Sequence, residues 1–428
     1  MKEIEKQYEK WVYPKPIEDM EEFITKTGGT ILSNMQFFWG LFFPEKKFNE
    51  KLDVLIAGCG TNQAIEISLS NPEWNIQAID LSDTSIDFVK KQIKKYNLKN
   101  LFIEKKDILK INYNAKFDLV ISTGVIHHTQ NPKKTLEKLI HSVKKDGALY
   151  IMVYATYLRQ GIYYLQNIFK YLNIEQNEEG VEFVKDYIDN VIPKTHYAYR
   201  YIDGSAQLKR ESDLYYDSGI VDTYLNKVDN AYSVRDLEEL LSNSGGFFQN
   251  WINNVYFYPY TFLDEKRLNS PLYKNIDHLS QFEVGDLTQN TIINAGKLDF
   301  IIRKQKKFEN IWHNIDDIND ETFIRKRISV NLTNDPISKK NNVGGSVYSS
   351  ESKYRNNFNI IERLTWHAIM SESDEESRGI ILSEAFEGTK GLLKDNHLNY
   401  NLNQNDFKII IHKFWKLGII ILQKNGSP

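Results

Sequence analysis

Across residues 52–154, short apolar runs alternate with amphipathic segments, the order that builds a layered α/β domain. Residues 52–57 are apolar apart from Asp53, the pattern of a strand buried on both faces of a parallel sheet. The run breaks at Gly58-Cys59-Gly60-Thr61-Asn62, a turn into a helix predicted to start near Gln63. A second strand is predicted over 74–80. The helix after it, 85–96, carries Ile86, Val89 and Ile93 on one stripe, with Ser82 or Asp83 as its cap. Strands at 101–104, 117–122 and 148–154, a helix at 132–143 and a turn at Asp146-Gly147 complete the series. Strands that alternate with helices need crossover connections, so the predicted sheet is parallel.

Beyond Tyr154 the pattern predicts helices at 157–172, 181–192 and 234–242, the last ending at Gly245-Gly246 before 247–258. Residues 298–302 supply a late strand that closes the domain near Arg303. The stretch 333–350 is rich in Asn, Ser, Lys and Gly and has little to bury, so it reads as a linker or long loop. Helical patterns at 356–370 and 406–415 and a strand at 418–423 follow it. The predicted fold is a doubly wound, mostly parallel α/β sheet with a small C-terminal α/β or winged-helix-like domain. Its expected boundaries are a cap over 1–50, the main domain over 51–305 with an insertion at 154–260, a linker region over 306–350 and an accessory domain over 351–428. No internal repeat is visible.

At 428 residues the chain exceeds one ordinary domain, so two or three cores are expected. With 54 basic and 57 acidic residues the net charge is -3, which counts against a uniformly basic nucleic-acid binder. Cys59 is the single cysteine, so an intramolecular disulfide and a cysteine-based zinc cluster are both excluded, and a reducing cytoplasm fits best. Residues 1–16 lack the apolar centre of a signal peptide, and the apolar stretches 148–154 and 417–422 fall far short of a membrane span.

Gly58 and Gly60, placed between a strand and a helix N-terminus, open backbone N–H groups to a nucleotide-like ligand. A dinucleotide fold wants a small residue at the third glycine position, where this chain has Gln63, and a nicotinamide oxidoreductase is demoted on that ground. Asp80 ends the second strand, where a carboxylate can accept from two vicinal ribose hydroxyls. Asp107-Ile108 follows the third strand, and Thr123-Gly124-Val125-Ile126-His127-His128 the fourth.

This series, with Phe117-Asp118-Leu119-Val120, resembles the class I S-adenosylmethionine-dependent methyltransferases over roughly a quarter of the chain. The resemblance implies that Gly58 and Gly60 face the methionine part of S-adenosylmethionine, Asp80 the ribose and Asp107 the adenine amino group. It also implies that Ile108 lies on the purine and that Thr123 and Gly124 offer backbone contacts near the sulfonium. Asn62 stands where many members have a third glycine, and Asn tolerates a left-handed backbone better than other residues. A narrower resemblance, to a bacterial subgroup often joined to tetratricopeptide repeats, lies in Gln7-Tyr8-Glu9, Tyr13-Pro14, residues 124–132, Tyr154 with Arg159, Asp222-Thr223-Tyr224-Leu225, Asp229 and Tyr232. It implies that the N-terminal piece and the insertion cover the cofactor and line the acceptor side, where Tyr8, Tyr13, Tyr154 and Tyr232 are the substrate candidates.

Methyl transfer from a sulfonium needs mainly alignment and desolvation, and a base helps an oxygen or protonated-nitrogen acceptor. His127 and His128 are the candidate bases, against the plainer role of capping backbone groups. Adjacent histidines on an extended segment point apart and no carboxylate stands at helical ligand spacing, so no metal is expected. Cys59 reads as a packing residue and the acidic run 372–376 as a solvated helix start, while Arg159 reads equally as a partner for a substrate carboxylate or as an ordinary surface or helix contact and is assigned no role. The function read from the sequence is a cytoplasmic enzyme that methylates a small-molecule or peptide-like acceptor at O or N, with a protein partner or second copy as the use for the C-terminal domain. Two alternatives stand beside it. One is a non-catalytic binding module for a protein partner. The other is a tRNA or other nucleic-acid methyltransferase, with Arg325-Lys326-Arg327 and Lys339-Lys340 as its basic groups.

Overall fold

The structure, a computed structural model, describes residues 2–202, 216–259, 271–276, 278–327, 330–332, 346–349, 356–371 and 379–424. The chain divides into two compact units: residues 1–33, 50–248 and 293–306 form the first, and residues 34–49, 249–292 and 307–428 the second.

The first unit is built on strands β1 (Asp53–Ala57), β2 (Asn75–Asp80), β3 (Leu101–Lys105), β4 (Phe117–Thr123) and β5 (Val143–Tyr154), with β7 (Lys297–Arg303) added at one edge and β6 (Phe247–Trp251) beginning in this unit and leaving it after Phe248. The sheet order is β3-β2-β1-β4-β5-β7-β6. Strands β1 to β5 pair in parallel, and β7 returns antiparallel to β5. Val54, Leu55, Ile56 and Ala57 of β1 are fully buried, as the continuous apolar run requires. The order reverses between β1 and β4, so the carboxyl ends of those two strands flank a topological switch point, where ligands of open α/β sheets bind.

Helices α1 (Lys2–Lys10) and α2 (Met20–Thr27) precede the sheet, and α3 (Gln63–Ser70), α4 (Asp83–Lys95) and α5 (Pro132–Ser142) connect its strands. Ser82 caps α4 by accepting from the Ser85 amide. Strand β5 begins at Val143, so Asp146-Gly147 lies inside a strand and is not the predicted turn. The register slips between Phe117 and Leu119, and the Arg303 guanidinium donates to the carbonyls of Gly147 and Asp146. Gly147 is needed at this irregularity because a Cβ there would lie 2.7 Å from the Asp118 carbonyl oxygen.

The insertion supplies α6 (Thr156–Tyr171), α7 (Glu178–Asp186), α8 (Asp217–Tyr224) and α9 (Val234–Leu241). It has its own apolar cluster, in which Ile162, Leu165 and Phe169 of α6 meet Val181, Val184 and Tyr224. The predicted 181–192 helix is helical as far as Val191, passing from α7 into a π-helical turn over Tyr187–Val191. Helix α8 was absent from the sequence pattern because it is buried nearly all round, from Gly219 to Tyr224, and so shows no amphipathic period.

In the second unit, β8 (Phe323–Lys326) is followed by β9 (Val330–Leu332), β10 (Ser346–Ser349) and β11 (Asn356–Asn357), which form a small antiparallel sheet. Strand β8 then pairs antiparallel with both β12 (Ile380–Ile381) and β13 (Ile420–Gln423). Helices Ile360–Ser371, Leu382–Asp395 and Gln404–Lys416 accompany this sheet around a core that includes Trp312, Ile324, Trp366, Phe414 and Trp415. The expected 306–350 linker therefore contributes core residues and strands, while 333–345, Lys339 and Lys340 among them, lie outside the described residues, as does the acidic run 372–376. Residues 34–49, expected within the N-terminal cap, also belong here: the Lys424 amide donates to the Pro44 carbonyl at 2.6 Å and Gln423 Nε2 to the Lys46 carbonyl at 2.8 Å. Among the described residues no helix is long and apolar enough to cross a membrane.

Candidate active site

The turn after β1 has positive φ at Gly58 (+75°) and Gly60 (+54°), which explains glycine at both places. A Cβ on Gly58 would stand 2.4 Å from Val125 Cγ2. Asn62, by contrast, has φ -108°, so the left-handed backbone that Asn would tolerate at the missing third glycine is not adopted. Its side chain instead accepts from the Ile17 amide at 2.9 Å and donates to the Lys15 carbonyl at 2.9 Å. Thr61 Oγ1 donates to the Pro14 carbonyl at 2.8 Å, so the N-terminal segment is stitched across the glycine turn.

At the end of β2 the part-buried Asp80 carboxyl accepts from the Gly60 amide at 2.8 Å and the Ser82 amide at 3.0 Å. Desolvation pushes Asp80 above its ordinary range, and those backbone N–H donors partly offset it. Asp107 Oδ1 accepts from the Leu109 amide at 3.0 Å and so caps the short 3-10 turn Ile108–Lys110, in which Ile108 is buried. Across the switch point, Gln63 Nε2 donates to Thr123 Oγ1 at 2.9 Å, and Gly124 follows with φ +77°. The residue that argued against a dinucleotide thus bridges two of the strand ends that the sequence picked out.

His127 and His128 lie on a 3-10 turn over Ile126–His128, not on an extended segment, and both are buried. Their rings are therefore neighbours, with centroids 4.2 Å apart. His128 Nδ1 is 2.7 Å from the Val228 carbonyl oxygen, which can only accept, so Nδ1 carries the proton and Nε2 keeps its lone pair in the neutral ring. His127 has no hydrogen-bond partner at either ring nitrogen. Burial, followed by the neighbouring His128 and Arg159, holds it well below the ordinary histidine range, so it is neutral.

Tyr8 and Tyr154 converge on one carboxylate, Asp222: Tyr8 Oη donates to Oδ1 at 2.8 Å and Tyr154 Oη to Oδ2 at 3.1 Å. Desolvation and the Asp222 charge push the Tyr8 phenol well above its ordinary value, with Tyr13 also contributing. The Tyr13 ring stacks on Tyr216 at 6.3 Å. Tyr232 meets this region through its backbone, bridging Ala155 and donating from its amide to the Tyr154 carbonyl, and its phenol is pushed up to about 12, mainly by burial. Arg159, left open between a substrate-carboxylate partner and an ordinary contact, is fully buried. It pairs with Asp229 at 3.2 Å and lies 3.7 Å from the centre of the Tyr154 ring. Asp222, Asp229 and Arg159 all fall in segments that carried the narrower resemblance, but their roles depend on contacts that residue spacing does not display.

A parallel sheet reversing between β1 and β4, with a glycine turn after β1 and acidic residues closing β2 and following β3, defines the class I methyltransferase architecture. Residues 48–202 match the family profile described as "Methyltransferase domain", so this part of the chain resembles that family in sequence as well as in architecture. The chain is 33% identical over 100 residues to malonyl-(acyl-carrier protein) O-methyltransferase of Acetivibrio thermocellus, covering 23% of this chain and 34% of that protein. It is 28% identical over 131 residues to the Bacillus anthracis protein of the same name, covering 30% and 46%. The chain thus spans less than half the length of these relatives. Among solved structures, PKMT2 from Rickettsia typhi in complex with AdoHcy has a similar fold, with a TM-score of 0.60 at 15% identity over 92% of this chain and 75% of that one.

Proposed function

We propose that this chain transfers a methyl group from S-adenosylmethionine to a small-molecule or peptide-like acceptor, at oxygen or nitrogen. The observation that carries this is the Asp80 carboxyl at the switch point, bonded to the amide of Gly60 beside two glycines of positive φ. Such a carboxyl beside an open backbone turn suits a ribose diol and an amino-acid chain. S-adenosylmethionine supplies a methyl group already activated on a sulfonium. Asp80 would hold the ribose hydroxyls, Asp107 would accept from the adenine amino group over Ile108, and Gly58, Gly60, Thr123 and Gly124 would offer backbone contacts.

On the acceptor side the tyrosines and the buried histidine pair orient and desolvate the nucleophile. His128 suits a base better than His127, because its Nδ1–H is fixed on the Val228 carbonyl and the lone pair of Nε2 is left available. The likeness to the malonyl-(acyl-carrier protein) O-methyltransferases supports methyl transfer as the chemistry.

The experiment is calorimetric titration of S-adenosylmethionine and S-adenosylhomocysteine into wild type, Asp80→Ala and Asp107→Ala, with circular dichroism to establish folding. Binding by wild type that falls at least tenfold in each folded variant is expected. Absence of binding by wild type overturns the proposal.

A further inference from the structure

Asp222 is 1% exposed, and its carboxylate has no cationic partner among the described residues. Its oxygens take the two tyrosine hydroxyls, and Asn226 Nδ2 adds a third neutral donor, 3.4 Å from Oδ1. The nearby guanidinium of Arg159 is committed elsewhere, donating to Asp229, Tyr163 and Tyr201. Neutral donors compensate a buried negative charge only in part, and a paired cation is the usual remedy.

A second observation marks the same place. The His127 ring, with both nitrogens buried and unpartnered, lies 4.0 Å from the Tyr154 ring that contacts Asp222. Tyr8 and Tyr154 each meet the His128 ring edge-on, at 6.4 Å and 5.5 Å between centroids. An anionic carboxylate beside aromatic rings is the chemistry that holds an organic ammonium, through an ion pair and through cation–π attraction to the Tyr8 ring, the Tyr154 ring already carrying the Arg159 guanidinium at 3.7 Å. The cluster also sits beside the cofactor loops: the Tyr8 carbonyl accepts from Ser82 Oγ, two residues past Asp80, and His128 closes the turn that starts after Gly124.

We propose that Asp222 is the recognition group for the methyl acceptor, that it binds a primary or secondary ammonium, and that Tyr8 and Tyr154 hold the carboxylate in place for it. This rests on the methyltransferase reading above and narrows its acceptor from oxygen or nitrogen to an amine. The ammonium gives one proton to His128 Nε2, the freed lone pair takes the methyl carbon, and the sulfonium leaves as the neutral thioether of S-adenosylhomocysteine. A carboxylate acceptor would be repelled at this position by like charge.

The test uses the full chain saturated with S-adenosylhomocysteine, titrated at pH 7.5 with n-pentylammonium and with n-pentanol by ligand-observed nuclear magnetic resonance. Wild type should bind the ammonium at least tenfold more tightly than the alcohol. In Asp222→Asn that preference should fall below threefold while S-adenosylhomocysteine affinity is unchanged. Equal affinity of wild type for the two probes overturns the proposal without reference to any variant, as does a preference that survives in Asp222→Asn. If Asp222→Asn keeps the preference and weakens S-adenosylmethionine but not S-adenosylhomocysteine, the carboxylate serves the sulfonium and the proposal is also overturned. Should Asp222→Asn not fold, Tyr8→Phe with Tyr154→Phe must reduce the preference instead. Wild type that fails to bind S-adenosylhomocysteine overturns the underlying methyltransferase reading, a result distinct from all of these.

Discussion

The Glu9 carboxylate accepts from the backbone amide of Asp83 at 2.5 Å, so a side chain of α1 caps the N-terminus of α4, 74 residues further along the chain. It also takes the Thr84 amide and hydroxyl, and Ser82 Oγ donates to the Tyr8 carbonyl beside it. An anion at free helix N–H groups is stabilised by hydrogen bonding and by the helix dipole. Glu9→Ala is expected to destabilise the first unit by about 1 kcal/mol. Because the same contacts hold α1 next to Asp80, the variant should also release S-adenosylhomocysteine several-fold faster in stopped-flow displacement. An unchanged release rate would show that the N-terminal segment does not retain the cofactor.

Gly58 is constrained twice, by φ +75° and by the 2.4 Å that would separate a Cβ from Val125 Cγ2. The left-handed conformation alone costs an L-residue about 1–2 kcal/mol. Gly58→Ala should therefore lower the melting temperature and weaken S-adenosylhomocysteine binding at least tenfold. Adding Val125→Ala removes the overlap but not the backbone strain, so the double variant should recover only part of the stability. Full recovery would locate the whole effect in the side-chain clash.

What was legible in the sequence follows the range of the physics involved. Gly58, Gly60, Asp80, Asp107 and Thr123 could be singled out as candidates because each lies at or just beyond a strand end, and strand ends are visible in local apolar runs. The convergence on Asp222 was not legible: Tyr8 lies 214 residues from it and Tyr154 lies 68 away. The division into units escaped for the same reason, since the Lys424 amide meets the Pro44 carbonyl only in the folded chain. Helix α8 was missed because a helix buried on every side has no polar face to set its period. At Asn62 the family pattern suggested a left-handed backbone, yet the residue adopts negative φ and spends its amide on the segment around Lys15 and Ile17.

The Arg159–Asp229 pair is buried on both sides, each side chain 1% exposed. Removing one partner of such a pair strands a charge and costs about 3–5 kcal/mol, whereas replacing both with apolar groups of similar volume costs much less. Asp229→Ala is expected to lower the unfolding free energy by that amount in urea denaturation. Arg159→Met combined with Asp229→Leu should be clearly less damaging than the sum of the single changes. Since Arg159 also lies on the Tyr154 ring, the double variant should still lose affinity for the amine probe while remaining folded. Strict additivity of the single changes would show that the two residues do not act as a pair.

His127 gives the fold a pH dependence whose direction follows from its burial. The unfolded chain takes up a proton on this residue near the ordinary value of about 6.5, whereas the folded chain holds the ring neutral well below that. Its contribution to stability is therefore fully present above about pH 6.5 and is lost progressively as the pH falls, because acid favours the unfolded state that can bind the proton. The loss runs at up to about 1.4 kcal/mol per pH unit, or up to about 2 kcal/mol between pH 7.5 and pH 5. His127→Phe keeps a ring against Tyr154 and His128 but cannot titrate. Urea denaturation at the two pH values should then show a smaller acid-induced loss in the variant than in wild type. Equal losses would mean that His127 is protonated in the folded chain, and the neutral, unpartnered ring next to the Asp222 cluster would have to be abandoned.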